Sequence, residues 1–178
     1  EMEHHSNILP WQMVAKLKGA NIAFIPITSD GTLELGAVKS HLAKKPKMFA
    51  FTHVSNVLGT INPAKEFVAE AHKLGVPVLI DASQSVPSMP VNVKDLDCDF
   101  LVFSGHKMFA PHIGVLYAKR GLLDKMSPFL VGGGMVKEVS WEAAVWKEGP
   151  EKFEAGTFDV PSAVGLAAAI DYVNKIGR

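Results

Sequence analysis

Cysteine is almost missing from this chain: Cys98 is the single one among 178 residues. An intrachain disulfide and a zinc site built from several thiolates are therefore excluded, which agrees with a reducing compartment. Excess charge is missing too, since 18 Lys and Arg stand against 18 Asp and Glu. No general attraction draws such a chain to nucleic acid or to an anionic membrane. No apolar run approaches the ~20 residues that span a bilayer, and the opening "EMEHHSNILP" has neither the basic start nor the apolar core of a signal peptide. A cytoplasmic protein is expected, or an organellar one whose targeting segment lies outside this span. The patterns H-E-x-x-H and C-x-x-C do not occur, so no metal is expected.

What is present is a globular composition, 48% hydrophobic and 20% charged, in a chain long enough to bury roughly 70% of its unfolded surface. Apolar spacing in "ILPWQMVAKLKGA" predicts a helix ended by Gly19, and "NIAFIPI", residues 21–27, predicts a strand. A second helix is predicted within 29–46, stopped by Pro46, followed by a strand in "KMFAFTHV". "PAKEFVAEAHKL" predicts a helix opened by Pro63 and closed at Gly75, and "VPVLID", "CDFLVFS" and "IGVLYAK" predict strands. Residues 127–157 have weak periodicity and the adjacent Gly132, Gly133 and Gly134; a long excursion or a subunit contact is expected there. "PSAVGLAAAIDYVNKIG" predicts a closely packing helix. Alternating helices and strands give an α/β, three-layer α/β/α architecture with a mostly parallel sheet.

Sites in such sheets lie beyond the carboxyl ends of the strands. Those ends carry polar groups here: His53, Ser55 and Asn56; Asp81, Ser83 and Gln84; Ser104, His106 and Lys107. A lysine with a depressed pKa attacks carbonyls and holds an aldehyde cofactor. Pyridoxal 5'-phosphate also needs a carboxylate at its ring nitrogen, a role that suits Asp81. Ser104 and His106 are candidate phosphate donors, His4 a flat partner for the ring, and Asn56 and Gln84 neutral donors.

The segments "EHHSNILPW", "THVSNVLGT", "IDASQSVP", "DCDFLVFSGHKMFAP" and "FEAGT" resemble the motifs of the cysteine desulfurase and selenocysteine lyase branch of the class V aminotransferase superfamily. The resemblance runs through nearly the whole chain in order. It implies a fold-type I large domain, of which residues 1–178 are the central part, in a homodimer that binds pyridoxal 5'-phosphate. By resemblance, Lys107 holds the cofactor aldehyde and moves protons, Asp81 pairs with the ring nitrogen, and His4 stacks on the ring and assists proton transfer. Gln84 matches a contact to the phenolic oxygen, Ser104 and His106 match phosphate ligands, and Asn56 matches a contact to the substrate carboxylate. Thr157 resembles the residue that reaches the phosphate from the neighbouring subunit. The implied reaction takes sulfur from L-cysteine as a persulfide, leaves alanine, and passes the sulfur to an acceptor protein for iron–sulfur cluster assembly. Selenocysteine lyase, another class V enzyme of this type, and a non-catalytic remnant of the fold are the alternatives.

The family's nucleophilic cysteine and substrate-binding arginine are expected in a C-terminal portion outside this span, and a phosphate-binding turn upstream of it. This span alone is not expected to turn over cysteine. After Lys107, "MFAPHIGVLY" is one residue shorter than the family's form and puts His112 at the place of a small turn residue, which is expected to alter the cofactor loop. Cys98 reads as a packing residue rather than the persulfide carrier. His41 and His72 read as solvated helix residues. A Ser-His-Asp hydrolase using Ser104, His106 and Asp81 lacks a G-x-S-x-G elbow, and a dehydrogenase lacks G-x-G-x-x-G.

Overall fold

Residues 1–177 are described by the computed structural model. Helix α1 (Leu9–Lys18) has Pro10 in its first turn, where a missing N–H costs nothing, and ends at Gly19 in the left-handed region with φ 61°. Helix α2 (Leu35–Leu42) buries Val38 and Leu42. Strand β1 (Phe49–Thr52) leads to helix α3 (Ala64–His72), whose buried Ala64, Phe67, Val68 and Ala71 share one helical face. Strand β2 (Val78–Asp81) follows, then the short helix α4 (Val93–Leu96), opened by the Asn92 side chain accepting from Lys94 N and Asp95 N. Next come β3 (Phe100–Ser104), β4 (Gly114–Ala118), α5 (Arg120–Leu123), the hairpin strands β5 (Val136–Val139) and β6 (Ala144–Trp146), and α6 (Val160–Ile176).

The main sheet has the order β1-β2-β3-β4, with β1, β2 and β3 parallel and β4 antiparallel to β3. Parallel neighbours need crossovers, and α3 and α4 lie in them. Along the strands Phe51, Val78, Ile80 and Leu101 join the core that α2 and α3 complete. Phe51 meets Phe67 of α3 edge-on, with ring centroids 5.5 Å apart. Each such side chain contributes about 1.5–3 kcal/mol on burial.

One predicted strand does not form. Residues 21–27 make a single isolated bridge, Ile27 to Leu33. An apolar groove of about 410 Å³, lined by Ile22, Phe24, Phe49 and Phe51, lies between this segment and β1. A strand exists only when its N–H and C=O groups find a ladder partner; among the described residues this segment has none across the groove, and Ile27 N donates instead to the Glu1 side chain. The excursion at 127–157 is more ordered than its periodicity implies: β5 pairs with β6, and Gly149–Phe153 forms a 3-10 turn whose buried Lys152 donates to Asp124 O at 3.1 Å. Phe129, Leu130, Val131 and Trp141 in the same segment remain exposed. No helix among the described residues is long and apolar enough to cross a membrane.

Candidate active site

Strand register gathers the polar ends. Thr52 of β1 pairs with Asp81 of β2, and Asp81 with Val102 of β3, so Asp81 stands in the middle of the carboxyl edge. It is 5% exposed. Its Oδ1 accepts from Ser83 N at 2.9 Å, the tight turn an Asp favours, while Oδ2 has no partner among the described residues. Ser104 lies two positions beyond Val102, half-buried, and the chain then enters a 3-10 turn, Gly105–Met108. That turn carries His106, exposed, and Lys107, half-buried, whose amine has neither an ion pair nor a hydrogen bond among the described residues. Between them and the strand, Gly105 is required: a Cβ there would stand 2.6 Å from Ile113 Cγ2.

A relay of hydrogen bonds brings His4 to this edge. Trp11 Nε1 donates to Asn7 Oδ1 at 2.9 Å, Asn7 Nδ2 to Glu3 Oε2 at 2.7 Å, and Thr52 N to Glu3 Oε1 at 2.9 Å. Glu3 is thereby pinned to the end of β1, with His4 next to it in sequence. Burial holds the Glu3 carboxyl above its ordinary pKa, against the bonds from Thr52 and Asn7, and the charge of Asp81 adds to the rise. The His4 ring is exposed and accepts from Ser6 N at 3.2 Å. Glu3 stands outside the candidates read from the sequence, because its tie to Thr52 exists only in the fold. His53, a strand-end residue with no expected role, has a buried ring whose Nδ1 has no partner among the described residues, and desolvation lowers its pKa.

The remaining candidates lie further out. Gln84 is half-buried just beyond Asp81, and Asn56 is exposed in the turn closed by Gly59 N donating to Ser55 O. Thr157 is exposed and follows Gly156, whose N donates to Gly133 O at 2.9 Å. No hydrogen bond joins Thr157 to the Lys107 turn among the described residues. Taken as chemistry, the edge offers an unpaired amine, a carboxylate oxygen without a partner, a hydroxyl and an imidazole. This donor set fits an aldehyde-bearing cofactor with a basic ring nitrogen and an anionic arm.

The opposite edge of the sheet is a structural clamp. His72 is not solvated as expected: its Nε2 lies 2.8 Å from Asp99 Oδ2 and its Nδ1 3.4 Å from Asp97 Oδ2. Lys119 Nζ lies 2.6 Å from Asp97 Oδ1 and 3.3 Å from Asp99 Oδ1. These acids precede β3 by only a few residues, and the turn there folds them back over the end of α3. His41 is half-buried as well, its Nδ1 2.8 Å from Ala37 O. Cys98 is fully buried here, and desolvation pushes its thiol up to about 11. A thiol so placed is a packing group.

The aminotransferase class-V family model matches residues 1–178, and the chain belongs to that family. A probable cysteine desulfurase of Halalkalibacterium halodurans is 50% identical over 177 residues, 99% of this chain and 44% of that protein. A cysteine desulfurase of Haloferax volcanii is 47% identical over 178 residues, covering 99% of this chain and 42% of its own length. The apo cysteine desulfurase of Thermococcus onnurineus superposes with a TM-score of 0.93 at 43% identity, over 98% of this chain and 44% of that one. The chain thus spans less than half the length of these relatives. The likeness agrees with the fold-type I reading of the mostly parallel sheet.

Proposed function

We propose that this chain forms the cofactor-binding part of a pyridoxal phosphate-dependent cysteine desulfurase, the central part of its large domain. The observation that carries the reading is the half-buried, unpaired Lys107 amine at the end of β3, on the same sheet edge as the buried Asp81 carboxylate. Similarity to proteins named cysteine desulfurases supports L-cysteine as the substrate. When bound, the cofactor supplies an electron sink for the Cα of an amino acid.

The residues of the chain then divide the work. Lys107 would hold the cofactor through its aldehyde carbon and move the proton at the substrate Cα. Asp81 holds the proton on the ring nitrogen, and burial of its carboxylate strengthens that attraction. His4 covers the ring face and assists proton transfer, with Glu3 fixing its place. Ser104 and His106 bind the phosphate, Gln84 the phenolic oxygen, and Asn56 the substrate carboxylate. Thr157 of one protomer serves the phosphate site of its partner, which makes a homodimer part of the reading; the exposed Phe129, Leu130 and Trp141 support such a contact. Cys98 does not carry the persulfide, because it is buried at the wrong edge of the sheet. A cysteine elsewhere in the protein takes the sulfur and passes it to an acceptor protein for iron–sulfur cluster assembly.

The test is product stoichiometry. The protein at its full natural length, with L-cysteine and a thiol reductant, is expected to release alanine and sulfide in equal amounts. Alanine without sulfide, or neither product, would contradict the desulfurase reading.

A further inference from the structure

The turn after Lys107 contains a second imidazole. His106 and His112 are both exposed, and their rings stack with centroids 4.9 Å apart and planes 14° from parallel. Neither ring makes a hydrogen bond to another described residue. Their polar edges therefore remain available to a ligand while their faces cover each other.

The backbone enforces this meeting. Gly105 N donates to Ile113 O at 2.7 Å and Ala110 N to Gly105 O at 3.1 Å, closing the loop into a narrow ring. Pro111 is wedged against α6, where a Cβ on Gly165 would lie 2.6 Å from its Cγ. Phe109, held at φ 66°, meets Tyr172 of α6 edge-on at 5.7 Å. Residue 112 is thus held beside residue 106. An exposed imidazole with both faces in water samples several rotamers; a ring stacked on one face removes some of them before any ligand arrives.

We propose that His112 is a positioning residue: its ring orients His106 toward the phosphate monoester arm of the cofactor. The inference rests on the cofactor reading above and adds a residue to it. Because His112 acts by stacking, another flat ring should replace it, whereas a small side chain should not.

The experiment titrates the protein at its full natural length with pyridoxal phosphate, and separately with pyridoxal, following the visible absorbance band. His112→Ala is expected to raise the dissociation constant for pyridoxal phosphate about 2- to 10-fold, the range of one aromatic pair. It should leave that for pyridoxal unchanged. His112→Phe is expected to restore wild-type affinity, because phenyl stacks and cannot hydrogen-bond. Equal weakening by Ala and Phe would overturn the positioning role, as would an unchanged His112→Ala or a parallel loss for pyridoxal. A wild-type protein with no band, or a band indifferent to Lys107→Ala, overturns the cofactor reading and this inference with it. A normal Lys107-dependent band with an indifferent His112→Ala overturns this inference alone.

Discussion

An indole N–H can only donate, and Trp11 therefore sets the direction of every bond that follows it. Asn7 must turn its oxygen to Trp11 and its amide to Glu3, and Glu3 must accept both from Asn7 and from Thr52. Glu3→Ala removes both acceptors and strands the donors, at an expected cost of about 1–3 kcal/mol measured by chemical denaturation. Glu3→Gln asks a different question. Burial raises the folded carboxyl pKa above 4.5, so the stability this group contributes is full below that pH and is lost as pH rises through the raised value. Glu3→Gln should lack that part of the pH dependence, and an identical profile would show that the carboxyl is not the titrating group. The strand-end positions of Lys107, Asp81, Ser104 and His106 were legible in the sequence because each follows an apolar run. Glu3 was not, since its acceptors' duties depend on Thr52, far along the chain. The stacking of His106 on His112 was hidden likewise, for only loop closure brings the rings together.

Among the elements, α6 bears most directly on the site, because it holds the Lys107 loop in place. At Gly165 an alanine gains about 1 kcal/mol of helix propensity but pushes its Cβ to 2.6 and 2.7 Å from Pro111 ring atoms, an overpacking cost of about 1–3 kcal/mol. Gly165→Ala is expected to leave stability equal or lower by up to about 2 kcal/mol and to weaken cofactor binding. A stabilised variant with unchanged binding would mean that this contact does not hold the loop. The clamp at the other edge titrates with acid. A hydrogen bond from Lys119 holds Asp97 below its ordinary pKa, and although burial pulls Lys119 down, bonds and charges from Asp97 and Asp99 leave it raised. The clamp is at full strength above the ordinary carboxylate pKa and is lost as pH falls through the depressed value; at the alkaline end it is lost as pH rises through the raised lysine value. Asp97 is largely exposed, so Lys119→Met should cost only about 0–1 kcal/mol near neutrality, with the difference from wild type shrinking in acid to what the Nζ bond to Asp97 O contributes. A difference of unchanged size in acid would assign the clamp to that backbone bond and to packing rather than to the ion pairs. Helix α3 and strands β1 to β3 were legible because their apolar periods are strong. Residues 21–27 carry an equally apolar run, but a strand is defined by its neighbour, and the neighbour is a fact of the whole fold. The β5–β6 hairpin was not legible for the opposite reason: its strands are four and three residues long and none of their residues is buried.

Across the whole molecule, two edges of one sheet do different work. The amino edge, with Cys98, His72, Asp99 and Lys119, is held shut by burial and ion pairs. The carboxyl edge leaves an amine and a carboxylate oxygen unpaired among the described residues. Keeping such groups unpaired costs stability in the absence of a ligand, and a bound cofactor that satisfies them returns it. Whether Lys107 is the covalent attachment point at that edge is read directly by borohydride reduction of the protein with pyridoxal phosphate, followed by peptide mapping. A visible band that reduction bleaches is expected, with the cofactor mass fixed on the peptide containing Lys107 and absent from Lys107→Ala. A label on another lysine, or the same label in Lys107→Ala, would contradict it.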